Sequence, residues 1–165
     1  MLDVNIYHVG AVTKLFYQRL LDRTLQKPGI HSGIVTISSI ASDYPMGFSI
    51  YHATKAWVSY MTEGLQLEVQ RAVMPWSKMV DVMCLKPGVT VSNMPPKHIM
   101  HLATPTHIVV AGALNNLGQY STTYGHWAHE IQGKALFGAL IPILWPLLFK
   151  YSDIPHKVDY KGKKD

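Results

Sequence analysis

The sequence predicts an α/β protein built as a parallel layer structure, and three observations carry that prediction. Two short apolar runs, Gly33-Ile34-Val35-Thr36-Ile37-Ser38 and residues 79–85, read as strands buried on both faces. A helical pattern precedes each of them, over residues 2–21 and 50–72. Helix, strand, helix, strand, helix is the alternation that lays helices against a parallel sheet.

Each element has its own warrant. Leu2, Ile6, Val9, Leu15, Phe16 and Leu20 recur at mixed intervals, with the steps of three, four and seven among Leu2, Ile6, Val9, Phe16 and Leu20 marking one face of a helix. Pro28-Gly29 marks a loop over residues 26–32, and the first strand then ends on Ser38-Ser39. A loop through Ser42, Pro45 and Gly47 leads into the long helix, which Met74-Pro75-Trp76 stops. Pro87-Gly88 closes the second strand and opens a loop through Pro95-Pro96. A further helix over residues 106–117 precedes an apolar segment and a polar tail. Open parallel sheets place ligands outside the carboxyl ends of their strands, where residues 38–42 and 86–94 fall.

At 165 residues the chain is long enough for one domain with a real core. A formal charge of +5 is modest and spread out, and no basic patch with stacking aromatics precedes the tail, so nucleic acid is not an expected partner. The single cysteine, Cys84, lies in an apolar run and is expected to be a buried hydrophobe in a reducing compartment. Asp3 and Asn5 interrupt any amino-terminal signal-peptide pattern. Residues 135–149 are strongly apolar but shorter than the roughly 20 residues a spanning helix needs, and Pro142 and Pro146 would break it. That leaves a monotopic or re-entrant membrane contact, a hydrophobic cover over a substrate, or a partner surface. No metal site is expected: His126 and His129, like His98 and His101, lack further ligands at a zinc-like spacing.

Tyr51 and Lys55 stand four residues apart in the long helix and so share one face. A phenol titrates near pH 10 and needs help to move a proton at neutrality. An ammonium at roughly 4 Å supplies a Coulomb scale of about 4 kcal/mol at an effective dielectric of about 20, an upper guide for an open site. A serine hydroxyl beside the phenol could hold a carbonyl oxygen while Tyr51 protonates it. No side chain supplies hydride, so the constellation implies a nicotinamide cofactor. Tyr160 and Lys164 share the spacing in the polar tail, and a structural tyrosine with a snorkelling lysine would show it too. The Ser-Ser and Pro-Gly strand ends around Tyr51 favour the catalytic reading.

With these residues in hand, the chain resembles the short-chain dehydrogenase/reductase family over nearly its whole length. Residues 33–39 resemble the strand that delivers the family's serine, Tyr51-His52-Ala53-Thr54-Lys55 its tyrosine and lysine motif, and residues 87–94 the loop that touches the nicotinamide. Asn5 matches the asparagine whose helix position holds a water in the proton relay. The resemblance implies that Tyr51 is the general acid in reduction, and that Lys55 lowers its pKa and holds the nicotinamide ribose. It also implies that Pro87, Gly88, Val89 and Ser92 line the cofactor. Ser39 matches the second serine of the motif and is the expected catalytic serine, although the usual spacing before the tyrosine lands on Ser38. Ser42 stands where a glycine is frequent.

The implied fold is a partial Rossmann-like parallel sheet lacking the amino-terminal dinucleotide-binding half, because no Gly-x-x-x-Gly-x-Gly loop is present and Gly10, Gly29 and Gly33 do not replace it. The catalytic half is then expected to hold NADPH weakly and to be inactive alone. Residues 116–127, the apolar run and the lysine-rich end resemble the very-long-chain 3-oxoacyl-CoA reductases and the related 17-beta-hydroxysteroid dehydrogenases. This implies reduction of a lipid carbonyl, a 3-oxoacyl-CoA or alternatively a keto steroid. Residues 1–134 would form the catalytic half and 135–165 the membrane-proximal segment and tail. Lys161 and Lys163 are placed as in a dilysine retrieval signal, which implies the cytosolic face of the endoplasmic reticulum, with a cytoplasmic location as the alternative. A non-catalytic scaffold is the rival from another class, and Glu63 and Glu68 on the long helix face solvent or a neighbouring copy in a homo-oligomer.

Overall fold

The computed structural model describes residues 1–27, 29–44, 49–71, 79–93, 97–140 and 143, with backbone alone at 98, 136 and 137. Pro45, Gly47, Met74-Pro75-Trp76, Met94, Pro95-Pro96, most of the apolar run after residue 140 and the lysine-rich tail lie outside the described residues.

The chain opens on a π-helical stretch, Asp3–Tyr7, that continues into α1, His8–Gln26. β1, Ser32–Ile37, is followed by a 3-10 turn, Ile40–Ser42, and then by α2, Ser49–Arg71. β2, Val80–Leu85, leads through a 3-10 helix, Lys97–Leu102, into α3, Thr106–Asn116. β3, Thr122–Thr123, α4, Trp127–Ile131, and a second π-helical stretch, Gln132–Leu140, complete the described chain. The sheet is parallel throughout, in the order β1-β2-β3, with Ser32 opposite Val80 and Cys84 opposite Thr122. The predicted helices and two strands stand close to their expected bounds. The third strand was not predicted, because two threonines are too short a run to display a period.

Alternation along β2 sorts the core into two layers. Val80 and Val82 meet Val69 on α2, with Tyr17, Leu20 and Leu21 of α1 packed against them. Met83 and Leu85 face the other way, onto Val109 and Ala113 of α3. The sheet therefore lies between α1 and α2 on one face and α3 on the other, and β2 at its centre is nearly all buried.

The α2 face of the sheet is polar as well as apolar. Thr54, Val58, Ser59, Thr62, Gln66 and Val69 form the buried stripe of α2. Thr62 shares a 2.7 Å hydrogen bond with Thr36, and Gln66 donates to the carbonyl oxygens of Val82, at 3.0 Å, and Ser121, at 2.6 Å. Satisfied in this way, buried polar groups fix the register of helix on sheet rather than weakening it. The α3 side depends on a close approach: a Cβ on Gly112 would collide with the carbonyl of Gly125, whose φ of 72° makes the turn after β3. Among the described residues no helix is long and apolar enough to cross a membrane.

Candidate active site

The carboxyl ends of β1 and β2 lie side by side and carry the predicted residues with them. Ser38 donates its N–H to the Leu85 carbonyl at 2.8 Å, and Ile40 donates to the Pro87 carbonyl at 3.1 Å. Ser39, between those two bonds, is thereby brought beside the Pro87-Gly88 turn. A third tie joins the same segments: the Lys86 ammonium is 2.8 Å from the Asp43 carboxylate, with little side-chain exposure at Lys86. Burial pulls the Lys86 pKa downward, but the hydrogen bond and charge of Asp43 outweigh it and leave it raised.

The two serines divide the work by strand alternation. Ser38 points inward, is 2% exposed, donates its hydroxyl to the Lys55 carbonyl at 2.7 Å and accepts from Ser59 at 2.8 Å. Ser39 is half-buried and accepts the Ala41 N–H at 3.1 Å, capping the 3-10 turn. Its hydroxyl hydrogen meets no acceptor among the described residues, so it is the serine able to donate to a ligand oxygen.

Tyr51 and Lys55 lie on one face of α2, as their spacing requires, with the ammonium 5.9 Å from the phenol ring centroid. Lys55 is pinned twice: its carbonyl by Ser38, and its ammonium by the Ile37 carbonyl at 3.0 Å. Burial lowers the Lys55 pKa, with the Cys84 side chain acting weakly against that shift. An ammonium short of solvation gains from any oxygen that approaches it. His52, next to Tyr51, is buried with Nδ1 2.8 Å from the Tyr44 carbonyl, which anchors the start of α2.

Asn5 reaches this centre through a residue the sequence reading passed over. Its side-chain amide donates to the Thr54 hydroxyl at 3.0 Å, and Thr54 donates to the Tyr51 carbonyl at 2.8 Å. Asn5 sits in the first π-helical stretch, where the ladder is widened to i+5 pairs, a distortion common at functional sites. A groove of about 590 Å³ runs beneath, lined by Asn5, His8, Val12, Phe16, Ile37 and Lys55.

The loop after β2 carries Pro87, Gly88 and Val89 at the site. Ser92 follows on the exposed outer part of the loop, beyond the bridge between Thr90 and Thr104. Val89 is fastened to α4 and its π-helical extension by His129 and Gln132, residues that sequence spacing had considered only as a failed metal pattern or not at all. The signal for Lys86 was its place just before Pro-Gly, and for Thr54 its place between Tyr51 and Lys55. Neither residue type announces a role without the contact.

A family model for short chain dehydrogenases matches residues 1–100. The chain belongs to the short-chain dehydrogenase family. Its curated relatives include very-long-chain 3-oxoacyl-CoA reductase-B of Danio rerio, 27% identical over 92% of this chain and 44% of that protein. Reductase-A of the same organism is 30% identical over 81% of this chain and 39% of its own length. This short-chain dehydrogenase chain thus spans about two fifths of the length of the relatives it matches. Solved structures agree on the fold: a short-chain dehydrogenase structure from Novosphingobium aromaticivorans superposes with a TM-score of 0.65 at 20% identity, covering 97% of this chain and 52% of that one. The bulky-bulky ketone specific alcohol dehydrogenase of Comamonas testosteroni gives 0.58 at 19% identity, over 98% and 58%.

Proposed function

We propose that this chain carries the proton-transfer machinery of an NADPH-dependent reductase acting on a lipid carbonyl, the 3-oxo group of a long-chain 3-oxoacyl-CoA. The observations that support the reading are that the Ile40 to Pro87 hydrogen bond holds the Ser39 segment beside the Pro87-Gly88 turn, and that Lys55, its ammonium 5.9 Å from the Tyr51 ring, is tied to the end of β1 through Ser38 and Ile37. The names of the Danio rerio relatives supply the substrate class.

The chain's residues fit a nicotinamide nucleotide. The under-solvated Lys55 ammonium lines an open groove beside α1 and β1, where it could meet a ribose hydroxyl, and Pro87, Gly88, Val89 and Ser92 belong to the loop that Ile40 ties to the end of β1. When bound, the nicotinamide would supply hydride to the carbonyl carbon. Ser39 donates a hydrogen bond to the carbonyl oxygen and Tyr51 delivers the proton to it. Lys55 favours the phenolate left behind, and Asn5, through Thr54, holds the turn of α2 that carries Tyr51. Ser38 serves position rather than chemistry. Residues 1–134 carry this machinery. Residues 135–149 cover an acyl chain or rest on the endoplasmic reticulum membrane, with the tail on the cytosolic face.

The test is reductase turnover with NADPH and a long-chain 3-oxoacyl-CoA, run beside estrone. Turnover on the acyl-CoA that falls about 10²- to 10⁴-fold in Tyr51→Phe supports the reading. Equal turnover in the variant removes Tyr51 from the mechanism, and preference for estrone moves the substrate to steroids. Failure to reduce either substrate even when a Gly-x-x-x-Gly-x-Gly half is supplied favours a scaffold role.

A further inference from the structure

The peptide groups of Val89 are gripped from outside their own loop. His129 Nε2 lies 2.9 Å from the Val89 carbonyl oxygen, which also accepts the Thr104 N–H at 2.9 Å. The Val89 N–H donates to Gln132 Oε1 at 3.2 Å, and the Gln132 amide donates onward to the Leu102 carbonyl at 3.3 Å. Both backbone groups of this residue are therefore engaged, two of the three bonds coming from side chains about forty residues away.

His129 is an expensive way to make such a bond. It is 0% exposed, and its Nδ1 is 3.3 Å from the Tyr124 carbonyl. Its shorter contact is the one from Nε2 to the Val89 carbonyl oxygen, which can only accept, so a ring N–H there donates to Val89. Fit at Gly88 says the same. A Cβ there would overlap Gln132 Oε1 and lie 2.9 Å from His129 Cδ2, so both side chains rest directly on the turn. The other end of the turn is fastened by Ile40 to the Pro87 carbonyl and by Asp43 to Lys86.

We propose that His129 and Gln132 are positioning residues that fix the Pro87-Gly88-Val89 turn beside the end of β1 and so determine how well a nicotinamide is held. This inference rests on the reductase reading. Both peptide groups of Val89 are thus engaged from outside the loop. The peptide is a fixed post, and the post stands on α4. The opposite face of α4 presents Trp127 and Ile131, four residues apart, at 67% and 53% exposure. A lipid resting on that outer face would bear on the element that holds the turn.

The test uses the 165-residue chain and reduced nicotinamide mononucleotide, which lacks the adenosine half and so needs no phosphate loop. Gln132→Met keeps bulk and removes the acceptor. The expected result is Val89 amide exchange about tenfold faster and affinity for the mononucleotide about fivefold weaker, at nearly unchanged Tm. His129→Gln, which retains a donor, should hold the ligand better than His129→Leu. Unchanged exchange in Gln132→Met overturns the grip, and faster exchange with unchanged affinity overturns the positioning role. No binding by the unaltered chain removes the reductase reading and this role with it, an outcome distinct from the other two.

Discussion

Ser38 and Ser39 are chemically identical neighbours with opposite duties, because a strand turns successive side chains to opposite faces. Ser38→Ala takes a donor from the Lys55 carbonyl and a partner from Ser59, both under α2. It should cost about 1–3 kcal/mol of stability, read as denaturant midpoint. Ser39→Ala loses one cap bond, should cost about 1 kcal/mol, and should lower turnover far more than Ser38→Ala does. Equal turnover losses would reject the division. Lys55 gives a pH signature. Its folded-state pKa is lowered by burial, so the unfolded chain binds more protons just below the usual lysine range. The cost of holding the ammonium is present at lower pH and fades as pH rises toward that range. Thermal scans across that window should show stability rising with pH in the unaltered chain relative to Lys55→Met. The pairing of Tyr51 with Lys55 was legible in the sequence, since four-residue spacing on a helix needs no tertiary knowledge. The different burial of the two serines follows from the register of β1, which spacing alone leaves one residue uncertain.

Between elements, the Lys86–Asp43 pair ties the end of β2 to the 3-10 turn that bears Ser39. The sign is opposite to that at Lys55: the raised pKa means stability is fully present below the usual lysine range and lost as pH climbs through the raised value. Asp43→Asn should cost about 2 kcal/mol below that range, and its deficit should shrink above it. A deficit independent of alkaline pH would show that the ion pair does not link these elements. Gly112→Ala should be more damaging than Asp43→Asn, because α3 meets the backbone of Gly125 where the added carbon would stand. The helices and β1 and β2 were legible because each bears a periodic apolar pattern. β3 was not, since Thr122 and Thr123 gain strand geometry from their pairing with Cys84 and Leu85. His129 was invisible as a structural residue for the same reason: its partners lie about forty residues upstream on Val89.

Across the whole molecule, β1 stands at the margin of the described sheet, pairing with β2 on one side. The N–H groups of Ser38 and Ile40 point toward β2, so by alternation the peptide groups of Gly33, Val35 and Ile37 point away from it. Phe16, Val4 and Ile37 line the groove alongside, at 50%, 69% and 58% exposure. An apolar margin of this kind favours association. Sedimentation at rising concentration should reveal self-association that Phe16→Lys diminishes, at small cost to Tm because the ring is half exposed. The Ile37 carbonyl, which accepts the Lys55 ammonium, belongs to that same margin. An amide that paired with this carbonyl would compete with Lys55 for one acceptor and leave the ammonium to the phenol of Tyr51. Closing the edge of the sheet and freeing the Lys55 ammonium toward the proposed proton donor are then a single exchange of partners at one oxygen atom.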